Sequence, residues 1–217
     1  MAWHFDTGSP RFGQCTRYLA GLRAGDKVMV SVKPSVMKLP PLTTQPVIMA
    51  GLGTGAAPFR AFIQERAYQA AQGQPIGPLL YYFGSRHRSK EYLYGEEIEA
   101  YMQEGIVTHA GLAFSRDTRD KVYIQHKMND DGKLLARLLG DDEHGNGAFY
   151  LCGPTWPVPD VFEALCKAFR GEGMKQEEAE QRIEQLKEQE RYVLEVYVSH
   201  APTRDFVQSS LRDMKLI

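Results

Sequence analysis

Cysteine is scarce in this chain. Cys15, Cys152 and Cys166 are the only three in 217 residues, an odd number and widely spaced. A disulfide framework and the paired spacing of zinc ligands are both excluded, and free thiols in a reducing cytoplasm are the expectation. Charge of one sign is equally lacking. Twenty-six basic residues face 27 acidic ones, a net charge of −1, so neither nucleic acid nor an anionic membrane is an expected partner. Any basic site must be local. No run of 18 apolar residues is present, and Met1–Pro10 lacks the apolar centre of a signal peptide. Internal repeats and low-complexity segments are absent too. No Ser/His/Asp set, His-x-x-His spacing or carboxylate pair points to hydrolysis or a metal. His87, His109, His126 and His144 are expected as surface or core residues.

What is present begins with Val47–Arg66. Val47–Ala50 is an uncharged apolar run, as a strand buried on both faces would be. Gly51, Gly53 and Gly55 follow within five residues, and Pro58 falls near the first turn of a helical pattern, where its missing N–H costs nothing. Phe59, Phe62, Ile63, Ala67 and Ala70 then form one apolar stripe. Strand, glycine turn and helix together aim free N–H groups at an anion. Gly51-x-Gly53-x-x-Ala56 satisfies a dinucleotide fingerprint with Ala in the third place, although an ordinary tight turn satisfies it as well. A P-loop is disfavoured, since no Gly-Lys-Ser/Thr follows.

At 43% hydrophobic and 24% charged, the chain has the composition of a globular protein with a core. Met1–Pro10 shows no periodicity. Arg17–Leu22 reads as a short helix and Lys27–Val32 alternates as a strand does. Lys33–Gln45, with Pro34, Pro40 and Pro41, reads as a connection. Strands are then expected at Val47–Ala50, Leu79–Phe83, Val107–Phe114, Ala148–Cys152 and Tyr192–Tyr197. Helical patterns lie between them at Pro58–Gln72, Glu91–Gln103, Val122–Met128, Lys133–Leu139 and Pro159–Arg170, with a charged helix at Lys175–Glu190 turning Ile183 and Leu186 inward. This alternation predicts an α/β fold, a five-stranded parallel sheet with helices on both faces. The expected division is 1–45 as a disordered N-terminus followed by an incomplete domain segment, 46–197 as the α/β domain and 198–217 as an extension.

In such a sheet ligands bind beyond the carboxyl ends of the strands. The second strand leads into Gly84-Ser85-Arg86-His87-Arg88, basic where an NAD-binding protein places an acid for the ribose hydroxyl. The third leads to Ser115 and Arg116, then Lys121, Tyr123 and Gln125. A hydroxyl, a guanidinium and an ammonium at one locus suit a phosphate monoester, and Tyr123 suits an adenine; a solvated charge run has the same composition. The fourth leads to Cys152-Gly153-Pro154-Thr155-Trp156-Pro157. Cys152 is either a buried small hydrophobe or a functional thiol facing the same crevice as Thr54.

Taken in order, these segments resemble the NADPH-binding half of the ferredoxin–NADP reductase superfamily in its diflavin reductase branch. Gly51-Leu52-Gly53-Thr54-Gly55-Ala56-Ala57-Pro58-Phe59 is similar to its pyrophosphate loop. Tyr81–Arg86, Glu91–Tyr94, Ala113–Arg116, Lys121–His126, Cys152-Gly153 and Tyr197 follow in the family's order. Gly13-Gln14-Cys15-Thr16 resembles a segment of the preceding FAD domain, so the N-terminal part is expected to be a remnant of a β-barrel FAD domain. Within the branch, Cys152–Val161 and the ending Leu194–Tyr197 look most like flavoprotein subunits of assimilatory NADPH–sulfite reductases, whereas cytochrome P450 reductases usually carry Trp or Phe in the last aromatic place.

The resemblance implies an NADPH-dependent flavoprotein oxidoreductase that passes hydride from NADPH to FAD, with onward transfer through FMN to a sulfite reductase hemoprotein subunit. It implies Thr54 and Gly55 at the pyrophosphate and nicotinamide side, and Ser115, Arg116, Lys121, Tyr123 and Gln125 at the adenosine 2′-phosphate, with Asp160 near the cofactor. Cys152 and Glu195 would flank the hydride path, and Tyr197 would cover the flavin. Gly13, Gln14, Cys15 and Thr16 would touch the FAD pyrophosphate. The family's Arg-x-Tyr-Ser motif and an FMN domain are missing from this sequence, so FMN is not expected to bind this chain and the FAD site is expected to be incomplete; FAD and FMN domains are expected partners. Three alternatives stand beside this reading: a truncated, non-catalytic NADPH-binding module, the equivalent part of a cytochrome P450 reductase-type enzyme, and an unrelated nucleotide-binding enzyme with Cys152 as nucleophile.

Overall fold

A computed structural model describes residues 2–4, 10–141 and 145–198. Two compact units divide the chain, Met1–Ser35 and Val36–Ile217. In the first, strand β1 (Ala2–His4) pairs antiparallel with β2 (Pro10–Phe12), although no regular structure was expected over Met1–Pro10. Helix α1 (Gln14–Ala20) follows, opening earlier than the periodicity at Arg17 suggests and burying no side chain. Lys27–Val32 is not a strand. Its side chains stand in solvent, with Met29, Val30 and Val32 all exposed. Alternation selects the faces of a strand but does not supply a hydrogen-bonding neighbour, and among the described residues none pairs with this segment. The spacing of Phe206, Val207, Leu211 and Met214 after Thr203, a fair N-cap, predicts a helix in the C-terminal extension; it lies outside the described residues, as does His144.

The second unit is built on one sheet of five parallel strands: β3 (Val47–Leu52), β4 (Leu79–Ser85), β5 (His109–Phe114), β6 (Ala148–Pro154) and β7 (Tyr192–Tyr197), in the order β5-β4-β3-β6-β7. β3 is central, with Val47 level with Leu79 on one side and Ala148 on the other. Its six residues are all buried, which is why it reads as a continuous apolar run. Alternate residues feed two cores. Val47 and Met49 pack with Phe59, Phe62 and Ile63 of α2 (Ala56–Ala71) and with Ile98 of α4 (Gly95–Gln103). Ile48 and Ala50 pack on the other face, beneath α5 (Ile124–Asp130), α6 (Gly132–Leu138), α7 (Val158–Gly171) and α8 (Gln176–Glu188).

The expected helix Glu91–Gln103 is two helices. α3 (Arg88–Glu91) ends before Tyr92, and α4 starts after Tyr94, whose φ of 58° is left-handed. Between them the Tyr92 ring packs 5.4 Å from Phe83 and 5.5 Å from Phe114, pinning the chain to the sheet where a continuous helix would lift it away. β5 begins at His109 rather than Val107, although Thr108 N–H still bonds to the Leu79 carbonyl just ahead of it (2.9 Å).

Three buried arginines were not anticipated. Arg66 donates to the carbonyls of Pro40 (3.0 Å) and Leu42 (3.2 Å), fastening the proline-rich connection to α2. Arg182 and Arg191 both meet Asp141 and donate to carbonyls of Leu139, Gly140 and Gly147, fixing the approach to β6. Side chains that long are buried only when most of their N–H groups find acceptors nearby; Arg66 Nε, buried without a partner, is the exception among the three.

Candidate functional site

The chain leaves β3 toward β4 on one side, while β6 lies against β3 on the other. This is the switch point at which a crevice opens beyond the strand ends. β3 runs into a 3-10 turn, Gly53–Gly55, and then directly into α2. Gly53 takes φ 54°, which favours glycine. Gly55 is required for a different reason: a Cβ there would overlap the carbonyl of Cys152. The turn is therefore seated on the backbone of β6.

Around that seat stand five of the residues singled out from the sequence. Thr54 is exposed, and its Oγ1 lies 3.1 Å from the Tyr197 hydroxyl. Tyr197 is level with Pro154 in the β6–β7 ladder and accepts a hydrogen bond from Thr155 N–H (3.1 Å). Cys152 is level with Gly51 on one side and Glu195 on the other. Burial pushes the Cys152 thiol up from its ordinary pKa, and the Glu195 carboxylate adds to the rise.

A second group gathers beyond β4 and β5. Ser115 N–H donates to the Ser85 carbonyl (3.0 Å) and Arg116 N–H to that of Arg86 (2.9 Å), extending the parallel pairing past the strands. Arg116 and Lys121 are exposed. Tyr123 caps α5, its ring 6.0 Å from Trp156 and 5.7 Å from His126. Gln125 donates to Asp160 in the first turn of α7 (3.0 Å), while Gln125 Oε1 and Ser85 Oγ are buried without a partner. Two basic residues read from the same locus are occupied otherwise. Arg86 pairs with Glu91, and Arg88 pairs with Glu99 while its guanidinium lies 5.5 Å from the Tyr92 ring. A cleft of about 970 Å³ adjoins, lined in part by Arg88, Tyr92, Glu97, Arg116 and Asp117.

Ser115, Arg116, Tyr123, Gln125 and Asp160 thus lie at the carboxyl side of the sheet that also holds Thr54, Gly55, Cys152, Glu195 and Tyr197. Gly13, Gln14, Cys15 and Thr16 belong to the other unit, at the start of α1, with Gly13 as its N-cap. Reasoning from sequence assigned nothing to Trp156, Glu91 or Asp117. Trp156 is the one with a local signal, an exposed tryptophan directly after a strand. Among the described residues no His/Cys/Asp/Glu group is arranged for a metal, and no helix is long and apolar enough to cross a membrane.

The model of the oxidoreductase NAD-binding domain matches residues 49–158. The chain is 50% identical over 199 residues to the sulfite reductase [NADPH] flavoprotein component of Saccharomyces cerevisiae, covering 90% of this chain and 19% of that protein. It is 38% identical over 193 residues to the sulfite reductase [NADPH] flavoprotein alpha-component of Shewanella oneidensis (88% and 30%). It is also 38% identical over 173 residues to the NADPH–cytochrome P450 reductase of Musca domestica (79% and 25%). Much less than half of the length of each relative is spanned. The match takes in the glycine turn and strands β4, β5 and β6 and covers half of the chain, and the chain belongs to the oxidoreductase NAD-binding domain family.

Proposed function

We propose that this chain is the NADPH-binding part of a diflavin-type oxidoreductase of the sulfite reductase flavoprotein kind. The observation that carries the reading is the meeting, at one end of the sheet, of a glycine turn seated on β6 and the Ser115–Arg116 loop held beside β4. The first suits a pyrophosphate, which needs close backbone approach and free N–H groups. The second suits a phosphate monoester, with Arg116 and Lys121 as cations and Ser115 as a hydroxyl donor. The partnerless Gln125 Oε1 and Ser85 Oγ fit a ligand that brings donors to the same place.

When bound, the nicotinamide supplies a hydride for a flavin to accept. The chain's own part is placement. Thr54 and Gly55 hold the pyrophosphate side, and Tyr123 faces the adenine with Trp156 and His126 against its ring. Asp160 fixes Gln125. Cys152 and Glu195 flank the hydride path, with the thiol kept protonated by burial and by the neighbouring carboxylate. That protonation argues against Cys152 as a nucleophile. Tyr197 covers the place into which the nicotinamide must enter. Gly13–Thr16 are assigned to the FAD pyrophosphate, while FAD and FMN domains and a sulfite reductase hemoprotein are the partners that the family resemblance implies, in keeping with yeast and Shewanella relatives named as flavoprotein components of sulfite reductases. A cytoplasmic setting suits the three unpaired cysteines.

Calorimetric titration of the chain with NADP⁺ and NAD⁺ tests the reading. One NADP⁺ per chain, at about ten-fold or more the affinity for NAD⁺, is expected from charge-assisted bonds to the extra phosphate. Equal affinities would refute the assignment of the Ser115–Arg116 locus.

A further inference from the structure

Asp117 stands next to the proposed phosphate clamp and carries the wrong charge for it. A carboxylate there repels a phosphate, so contact with the ligand does not account for it. Its hydrogen bonds do. Oδ1 accepts from His87 Nδ1 at 3.0 Å and Oδ2 accepts from Arg88 N–H at 2.9 Å. His87 is the N-cap residue of α3 and its carbonyl accepts from Glu91 N–H, but its side chain makes no capping bond to that helix. The first N–H of α3 is therefore satisfied by a side chain from another loop. The bonds from Arg88 and His87 hold the Asp117 carboxyl below its ordinary range, which keeps it an acceptor at neutral pH.

The consequence reaches Arg116 through one peptide bond. Backbone pairing of Ser115 with Ser85 and of Arg116 with Arg86 ends there, and Asp117 makes the next link between the two loops. Without it the exposed Arg116 would extend from a loop end held by one fewer attachment. Ordering that loop on binding would then subtract from affinity, and only from the part of the affinity that the loop supplies.

We infer that Asp117 is a positioning residue for dinucleotide selection, tying the Ser115–Arg116 loop to the loop after β4 so that Arg116 meets a ribose 2′-phosphate already in place. This rests on the reading of Ser115 and Arg116 given above, and the experiment separates the two. NADP⁺ and NAD⁺ are titrated against wild type, Asp117→Ala, Asp117→Asn and Arg116→Ala, each first checked for an unchanged melting profile. Asp117→Ala is expected to lower the NADP⁺/NAD⁺ affinity ratio about five-fold, entirely through NADP⁺. Asp117→Asn retains an oxygen for Arg88 N–H and an amide that can donate to a neutral His87 ring. It is expected to keep the ratio within about two-fold of wild type or to raise it, since the repelling charge is gone.

If Arg116→Ala loses NADP⁺ selectively but Asp117→Ala leaves the ratio alone or weakens both nucleotides equally, the positioning role is overturned and the clamp stands. If Asp117→Asn is as impaired as Asp117→Ala, hydrogen bonding is not the cause and the inference fails. If Arg116→Ala leaves the ratio unchanged, the clamp itself is misplaced and the inference falls with it.

Discussion

Tyr197 and Thr54, 143 positions apart in sequence, are joined hydroxyl to hydroxyl at 3.1 Å, tying the end of β7 to the turn after β3. The bond closes the crevice at the point where the proposed nicotinamide enters. A ligand reaching that point must break it and move the ring. Tyr197→Ala is therefore expected to tighten NADP⁺ several-fold, and Tyr197→Phe to tighten it by at most the ~0.5–1.5 kcal/mol of one hydrogen bond, less because the pair is exposed. Titration calorimetry on the two variants checks this. Weaker binding to both would show that the ring contributes contacts to the nucleotide instead of covering its place.

Gly55 offers the opposite signature. A Cβ there meets the Cys152 carbonyl, so Gly55→Ala must push the turn off β6. The pyrophosphate seat is common to both nucleotides, and NADP⁺ and NAD⁺ should be lost together, by about 100-fold or more. A selective loss of NADP⁺ would place the 2′-phosphate, and not the pyrophosphate, beside Gly55. Melting should fall as well, because backbone is displaced within the sheet.

How far the sequence carries depends on how local each signal is. Val47–Gly55 announces itself because a strand buried on both faces and a turn without side chains need few residue types. The same is true of β4 and β6. Ser115 and Arg116 were visible by their place after a strand. The break at Tyr94 was not, because it depends on Tyr92 packing against Phe83 and Phe114 from other strands. Nor was the tie from Asp117 to His87 and Arg88, which joins segments 29 and 30 positions apart. Lys27–Val32 shows the converse error: a good local pattern with which no strand among the described residues pairs. Arg66, Arg182 and Arg191 carry no local sign of burial, since nothing nearby in sequence reveals the carbonyls they serve.

The Arg182–Asp141–Arg191 cluster makes a pH-dependent prediction. Arg182 first and Arg191 second hold the Asp141 carboxyl below its ordinary range, against some desolvation. A carboxyl with a depressed folded pKa contributes stability that is present above its unfolded pKa and lost as pH falls through the folded value. Asp141→Asn should cost about 1–2 kcal/mol at pH 7, at the low end for breaking a pair to buried arginines because Asp141 itself is largely exposed. Urea denaturation of wild type and variant should show the full gap above about pH 4 and a closing gap below it. A gap that stays constant down to pH 2 would mean the amide fails for steric and not electrostatic reasons.

Cys152 and Glu195 face each other in the β6–β7 ladder, and their coupling is measurable without turnover. Only the thiolate is alkylated, so a raised thiol pKa slows the reaction at a given pH. Burial is the larger cause of the rise and Glu195 the smaller. Glu195→Gln should therefore lower the pKa only in part, speeding iodoacetamide modification of Cys152 at pH 8 by about two- to five-fold. The exposed Cys15 should react first, and Cys166, fully buried with its thiol pushed up to about 11, should stay silent. Since Glu195 is exposed, raising the salt should shrink the difference between wild type and Glu195→Gln. Saturating NADP⁺ supplies the functional readout: a nucleotide lying across the β3–β6 crevice must shield Cys152 and slow its modification in both proteins. Peptide mass mapping separates the three sites. Faster labelling of Cys152 in Glu195→Gln together with protection by NADP⁺ puts the thiol, its carboxylate neighbour and the cofactor in one place; unprotected labelling would move the cofactor elsewhere.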